Sequence, residues 1–192
     1  MKLKRLYQTF RLWTIPSDGK RAEWAKRQRI YAAIGDNVRI MDRKVPLYAN
    51  LIKFHNNIQV ASNVSFITHD AIHSVFNSLT NKLSTQQGGV FLENIGCIEV
   101  MDNVFIGSGT QILGNVRIGP NAIVAAGSLI NHDVPPNSIV GGVPAKVIGW
   151  FDDLVEKRKT TSYPIELKPT GQIVSDKLMQ FMWQQFENER NK

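Results

Sequence analysis

The chain has 192 residues, 43% hydrophobic and 20% charged, proportions that exclude disorder, a collagen-like chain and a disulfide scaffold. Its single cysteine, Cys97, excludes an intrachain disulfide and a cysteine-based metal cluster, and fits a reducing compartment. The net charge of +7 lies wholly in residues 1–29, where nine basic residues face two acids; the remainder balances at 14 of each sign, so no nucleic-acid partner is expected.

Residues 1–33 read as a basic, amphipathic, helical segment. Leu3, Leu6, Tyr7, Phe10, Leu12, Trp13 and Ile15 are interleaved with Lys2, Lys4, Arg5 and Arg11. Two readings stay open for residues 1–29. The segment lies on an anionic membrane surface, or its apolar residues pack on protein and its charges are solvated. It lacks the continuous apolar core of a signal peptide, and no apolar run reaches the roughly 18 residues a membrane span needs. The expected location is cytoplasmic, with or without peripheral membrane contact.

From residue 100 an aliphatic residue recurs every six positions: Val100, Ile106, Ile112, Ile118, Val124 and Ile130. Val104, Thr110, Val116, Ala122 and Ser128 hold the place two residues before the last five. A helix recurs at 3.6 residues and tolerates little glycine, and a flat strand alternates at two. A parallel β-helix accounts for the pattern. Short strands point the aliphatic inward, Gly or Asn takes positive φ at the corners, and three hexads close one coil. An upstream block, IGDNVR (34–39) then residues 54–71, repeats less cleanly. Residues 41–52 break the register, and residues 70–97 leave it as a long inserted loop. A loop of that length in a regular solenoid points to function. The domain expected is 34–149, followed by a proline-punctuated exit. Residues 150–192 should hold helices at 150–159 and 175–190, the second capped by Ser175.

These residues resemble the hexapeptide-repeat acyltransferases, closest to the capsule and exopolysaccharide sugar O-acetyltransferases and the xenobiotic and galactoside-type acetyltransferases. The matching stretches are IGDNVRI (34–40), SNVSFITHD (62–70), DNVFIGSGTQILGNVRIG (102–119), NAIVAAGSLI (121–130) and HDVPPNSIVGGVPAKVIG (132–149). The resemblance implies a left-handed β-helix with helical terminal segments, a homotrimer, acetyl-CoA as co-substrate, and a sugar or polysaccharide-precursor acceptor. It also implies contacts with the coenzyme from Ser108, Ala126, Asn131, His132 and Lys146. One departure is the Asn131-His132-Asp133 run, where many relatives have Thr-Lys-Asp; the lost charge shifts phosphate binding toward Lys146 and the run Lys157, Arg158, Lys159.

Acetyl transfer to a hydroxyl needs a base, and histidine titrates near working pH. The four histidines are His55, His69, His73 and His132. His69, in FITHD where a coil gives way to the loop, is the expected base, as the resemblance also implies. His73 is an acceptor-binding candidate, and His55 reads as a surface corner. Asp70 is a weak candidate to orient an imidazole, because adjacent side chains of an extended segment diverge. No metal is expected, since the histidine spacing does not match the metal-binding relatives of this fold and further ligands are wanting. The chemistry alternatives are N-acylation of an amino sugar and a non-enzymatic scaffold.

Overall fold

A computed structural model describes residues 2–79, 90–160 and 162–191. Two compact units divide the chain, Met1–Phe151 and Asp152–Lys192.

The first unit opens with helices α1 (Lys2–Thr14) and α2 (Asp18–Arg27), the latter N-capped by Ser17. Twelve short strands then wind into coils: β1 (Ala33–Ile34), β2 (Val38–Ile40), β3 (Ile52–Phe54), β4 (Ile58–Val60), β5 (Ser65–Ile67), β6 (Ile98–Val100), β7 (Val104–Ile106), β8 (Gln111–Leu113), β9 (Val116–Ile118), β10 (Ala122–Val124), β11 (Leu129–Ile130) and β12 (Ser138–Gly141). They form three sheets with one strand per coil in each: β1-β3-β6-β9, β2-β4-β7-β10-β12 and β5-β8-β11, all parallel. Register settles at 18 residues per coil, with Ile98 beside Val116, Val104 beside Ala122 and Gln111 beside Leu129.

The six periodic aliphatics, Val100 to Ile130, are each no more than 1% exposed and form one column. Burying each stabilises the fold by about 1.5–3 kcal/mol. The polar members two residues before an aliphatic are buried as well. Thr110 Oγ1 donates to the carbonyl of Gly107 at 2.8 Å and Ser128 Oγ to that of Ala125 at 2.6 Å, so their hydroxyls cost little inside the core. Asparagines supply the corners: Asn37, Asn57, Asn63, Asn103, Asn115, Asn121 and Asn137 all have φ between 51° and 62°. Gly107 is glycine for closeness, because a Cβ there would stand 2.5 Å from the backbone nitrogen of Ala126 in the next coil.

Two departures from the repeat interrupt the third face. Residues 41–51 form no strand and end in a 3-10 turn, Ala49–Leu51. After β5 the chain leaves the coil, forms helix α3 (Ile72–Asn77) and re-enters at β6. Residues 80–89 of this excursion lie outside the described residues. The proline-rich exit holds a hairpin that the repeat does not foreshadow. Strand β13 (Lys146–Trp150) pairs antiparallel with β12 and covers the last parallel edge.

The second unit carries the rest of α4 (Phe151–Lys157), a 3-10 turn at Ile165–Leu167, and α5 (Asp176–Arg190), whose N-cap Ser175 accepts from the Leu178 amide at 3.3 Å. Along α5 the Phe186 ring stacks edge-on to Trp183 and lies under the Arg190 guanidinium. No helix among the described residues is long and apolar enough to cross a membrane.

Candidate active site

His69 sits two residues beyond the end of β5, where the excursion begins. Thr68, fully buried, fixes that point. Its hydroxyl donates to the Leu47 carbonyl at 2.8 Å, and its own carbonyl accepts from the Gly96 amide at 2.8 Å. The outgoing and returning arms clamp here through an antiparallel bridge between His69 and Ile95 and a 3.1 Å bond from the Asp70 amide to the Asn94 carbonyl. The Asp70 carboxylate is spent within the clamp, accepting from the Ile72 amide at 3.0 Å and from Asn94 Nδ2 at 3.3 Å. It does not orient the imidazole.

The His69 ring is half-buried. Its Nδ1 is shielded from solvent and has no hydrogen-bond partner among the described residues. Buried polar atoms are nearly always paired, so an unpaired one in a cleft makes His69 a candidate for function. The Tyr48 ring meets the imidazole edge-on with centroids 5.3 Å apart, and the Tyr48 phenol donates to Glu93 Oε2 at 2.8 Å. That bond raises the phenol pKa. Tyr48 also has φ 53° and ψ 40°, a left-handed backbone that costs a bulky residue about 1–2 kcal/mol. Such strain collects at functional sites.

A cleft of about 220 Å³ opens at His69, with Asp70, Asn94, Gly114 and Asn131 among its lining. The structure therefore brings Asn131 to His69. It does not bring all the candidates together. His73, on α3, also has a buried Nδ1 without a partner among the described residues, but it does not line this cleft. His132 bonds to the Asn131 side chain at 2.6 Å and lines a separate cleft of about 100 Å³ with Val147. Ser108 and Ala126 are exposed and stack one coil apart, at the corner entering the third sheet. His69 lies at the corner leaving it. Lys146 is exposed at the start of β13, opposite Gly141.

His55 is no ligand. Its Nε2 meets Glu99 Oε1 at 2.8 Å on the outer face of the first sheet, where Lys53 and Arg117 also reach Glu99 at 3.2 and 2.8 Å. Among the described residues, no three His, Cys, Asp or Glu side chains converge as a metal site would require. In the second unit, Lys157, Arg158, Tyr163 and Lys168 line a cleft of about 730 Å³, while Lys159 pairs with Glu156 at 2.6 Å.

Sequence reasoning missed Tyr48, Glu93 and Asn94. Tyr48 had a signal, since it sits in the 41–52 register break. Glu93 and Asn94 had none, because only the folded excursion returns them to His69.

Residues 98–132 match the family described as bacterial transferase hexapeptide (six repeats). The Saccharomyces cerevisiae protein YJL218W, whose name proposes an acetyltransferase, is 35% identical over 129 residues, covering 67% of this chain and 59% of that one. The Staphylococcus aureus 2,3,4,5-tetrahydropyridine-2,6-dicarboxylate N-acetyltransferase is 43% identical over 60 residues, 31% of this chain and 25% of its own. Among solved structures, a galactoside acetyltransferase in complex with coenzyme A superposes with a TM-score of 0.55 at 24% identity, covering 85% of this chain and 87% of that one, which shows a shared fold. The chain spans between 21% and 59% of the length of the first curated relatives it matches.

Proposed function

This chain carries the hexapeptide repeat of the bacterial transferase family, and from that premise we propose that it transfers an acetyl group from acetyl-CoA to a sugar hydroxyl, with His69 as the general base. The observation that carries the reading is the half-buried His69 imidazole in a cleft shared with Asn131. The imidazole takes the hydroxyl proton as the acceptor oxygen attacks the thioester carbonyl. The tetrahedral oxyanion collapses, the carbon–sulfur bond breaks, and the proton on His69 passes to the departing thiolate. Thiolates leave readily, so no covalent nucleophile is required. Tyr48 and Glu93 limit the freedom of the ring on one side.

The coenzyme lies along the coils, with Ser108 and Ala126 offering small side chains and exposed backbone to an extended pantetheine, and with Lys146, Asn131 and His132 toward its other end. In one chain Ser108 and His69 flank opposite edges of the third sheet. That separation favours a homotrimer of left-handed prisms in which one copy's His69 faces another's Ser108 corner. The acceptor belongs to capsule, exopolysaccharide or other surface-polysaccharide synthesis in the cytoplasm, and His73, on the excursion, is the candidate to contact it. No metal takes part. N-acylation of an amino group is the second reading, favoured by the N-acetyltransferase relative.

Thiol release from acetyl-CoA with a panel of sugars and amino sugars tests both. His69→Ala should lower kcat by about 10²–10⁴ while leaving coenzyme A affinity unchanged in calorimetry. Wild-type turnover in that variant, with His73→Ala inactive, would assign the base to the other histidine. Turnover on amines alone would establish the second reading.

A further inference from the structure

The structure resolves the basic N-terminus into two populations with different fates. In α2 three of the four basic residues, Arg21, Lys26 and Arg27, are engaged. Arg21 is buried on backbone carbonyls, Lys26 pairs with Asp36 at 3.0 Å, and Arg27 pairs with Glu23 at 3.6 Å. In α1, among the described residues, Lys4, Arg5 and Arg11 pair with no carboxylate. The helix has no acidic residue, and Lys4 and Arg5 are exposed.

Helix α1 also has two apolar sides. At 3.6 residues per turn, Leu3, Leu6, Tyr7, Phe10 and Trp13 fall within an arc of about 120°, and Leu12 points about 160° from its centre. Leu12 is 3% exposed and anchors the helix, with help from Thr9, whose hydroxyl accepts from the Val45 amide at 3.3 Å. The arc faces away. Leu3 is 82% exposed, Leu6 66%, Phe10 64% and Trp13 58%. Lys4 and Arg11 border the arc on one flank, whereas Arg5 falls about 140° from its centre, on the Leu12 side. Arg43 adds a cation at its end, 5.3 Å from the Trp13 ring centroid and bonded to the Trp13 carbonyl at 3.0 Å.

We propose that this outward stripe of α1 is a docking surface for an anionic lipid bilayer, on which the helix lies in the headgroup plane with Phe10 and Trp13 inserted. The composition fits that occupant. A 13-residue helix is too short to span. Aromatic and aliphatic side chains beside the basic flank of Lys4 and Arg11, with Arg43 at the end, match an interface whose headgroups are negative and whose interior is apolar. The helix is already folded and bolted to the coils, so docking carries no cost of ordering it. The surface is independent of the acyl-transfer chemistry. If both hold, the enzyme works on acceptors held at that membrane.

Flotation of the full-length protein with phosphatidylcholine vesicles, with and without phosphatidylglycerol, tests this. Binding should require phosphatidylglycerol and be lost at 1 M salt, where the Debye length is about 3 Å. Lys4→Gln/Arg11→Gln should weaken partitioning roughly thirtyfold, since each basic residue near such a surface contributes about a factor of five. Leu6→Ser/Phe10→Ser should abolish it with an unchanged thermal melt, because both side chains are exposed. Failure to bind anionic vesicles at low salt would overturn the proposal, as would binding that survives Leu6→Ser/Phe10→Ser. A drop in the mass of that variant by light scattering, with no vesicle binding by the wild type, would reassign the stripe to contact between copies of the chain.

Discussion

Asn57 shows what a single corner residue does in this molecule. Its φ of 55° is a conformation Asn tolerates better than other residues with a Cβ, and its amide accepts from Asn37 Nδ2 and donates to Asn103 Oδ1, both at 2.8 Å. Asn103 continues to Asn121 at 2.7 Å, so one row of side chains ties four coils together. A second row on the outer face of the first sheet is ionic. Glu99 stands between Lys53 and Arg117 in register and also accepts from His55. The His55 hydrogen bond first, then Lys53 and Arg117, hold the Glu99 carboxyl down from 4.5 to about 2, against a desolvation that would raise it. A carboxyl lowered by folding stabilises above its unfolded pKa, and that contribution is lost as pH falls from about 4.5 toward 2. Glu99→Gln should therefore destabilise by about 1–3 kcal/mol near neutral pH. Thermal melts should show the gap to wild type closing as pH approaches 2; a gap that stays constant with pH would deny the cluster this role.

At the scale of elements, Arg21 decides how α2 meets the first coil. It is 4% exposed, and burial lowers its pKa. Its guanidinium donates to the carbonyls of Ile15, Pro16, Ile40 and Met41, so one side chain joins the α1–α2 link to the end of β2. Arg21→Met keeps the stem but leaves these carbonyls short of donors in a buried place. It should cost about 2–4 kcal/mol in denaturant unfolding. A loss below 0.5 kcal/mol, the range of ordinary surface substitutions, would mean that water replaces the guanidinium freely. The excursion is a second such joint. Asn77 caps the returning arm, accepting from the Phe91 amide at 2.9 Å and donating to its carbonyl at 2.8 Å, and Phe76 packs edge-on against Phe91. These contacts bring Glu93 and Asn94 to His69 with backbone precision.

At the scale of the molecule, the candidate residues occupy two corners of one prism. His69, Asn94 and Asn131 gather at the exit of the third sheet, and Ser108 and Ala126 stack at its entry. Closed cyclic assembly would let one site draw on both corners from different copies. Light scattering should give three times the 21.6 kDa of the chain, and activity should fall on dilution below the assembly constant. An active 21.6 kDa species would rule the shared site out.

The repeat was legible because it is a local code. An inward aliphatic every six residues and an asparagine at each corner are set by strand alternation and by the left-handed backbone, and both act over a few residues. The same code exposed its own breaks, at 41–52 and 70–97, and put His69 at the edge of one of them. What occupies the breaks was decided by the tertiary structure. Tyr48 and Glu93 are 45 residues apart and meet only once β3 and β6 pair across the excursion. The buried role of Arg21 and the outward face of α1 were equally hidden. Four basic residues beside seven apolar ones read alike whether they dock inward or outward, and only packing against Val45 and the first coil turned Leu12 in and left Phe10 and Trp13 out.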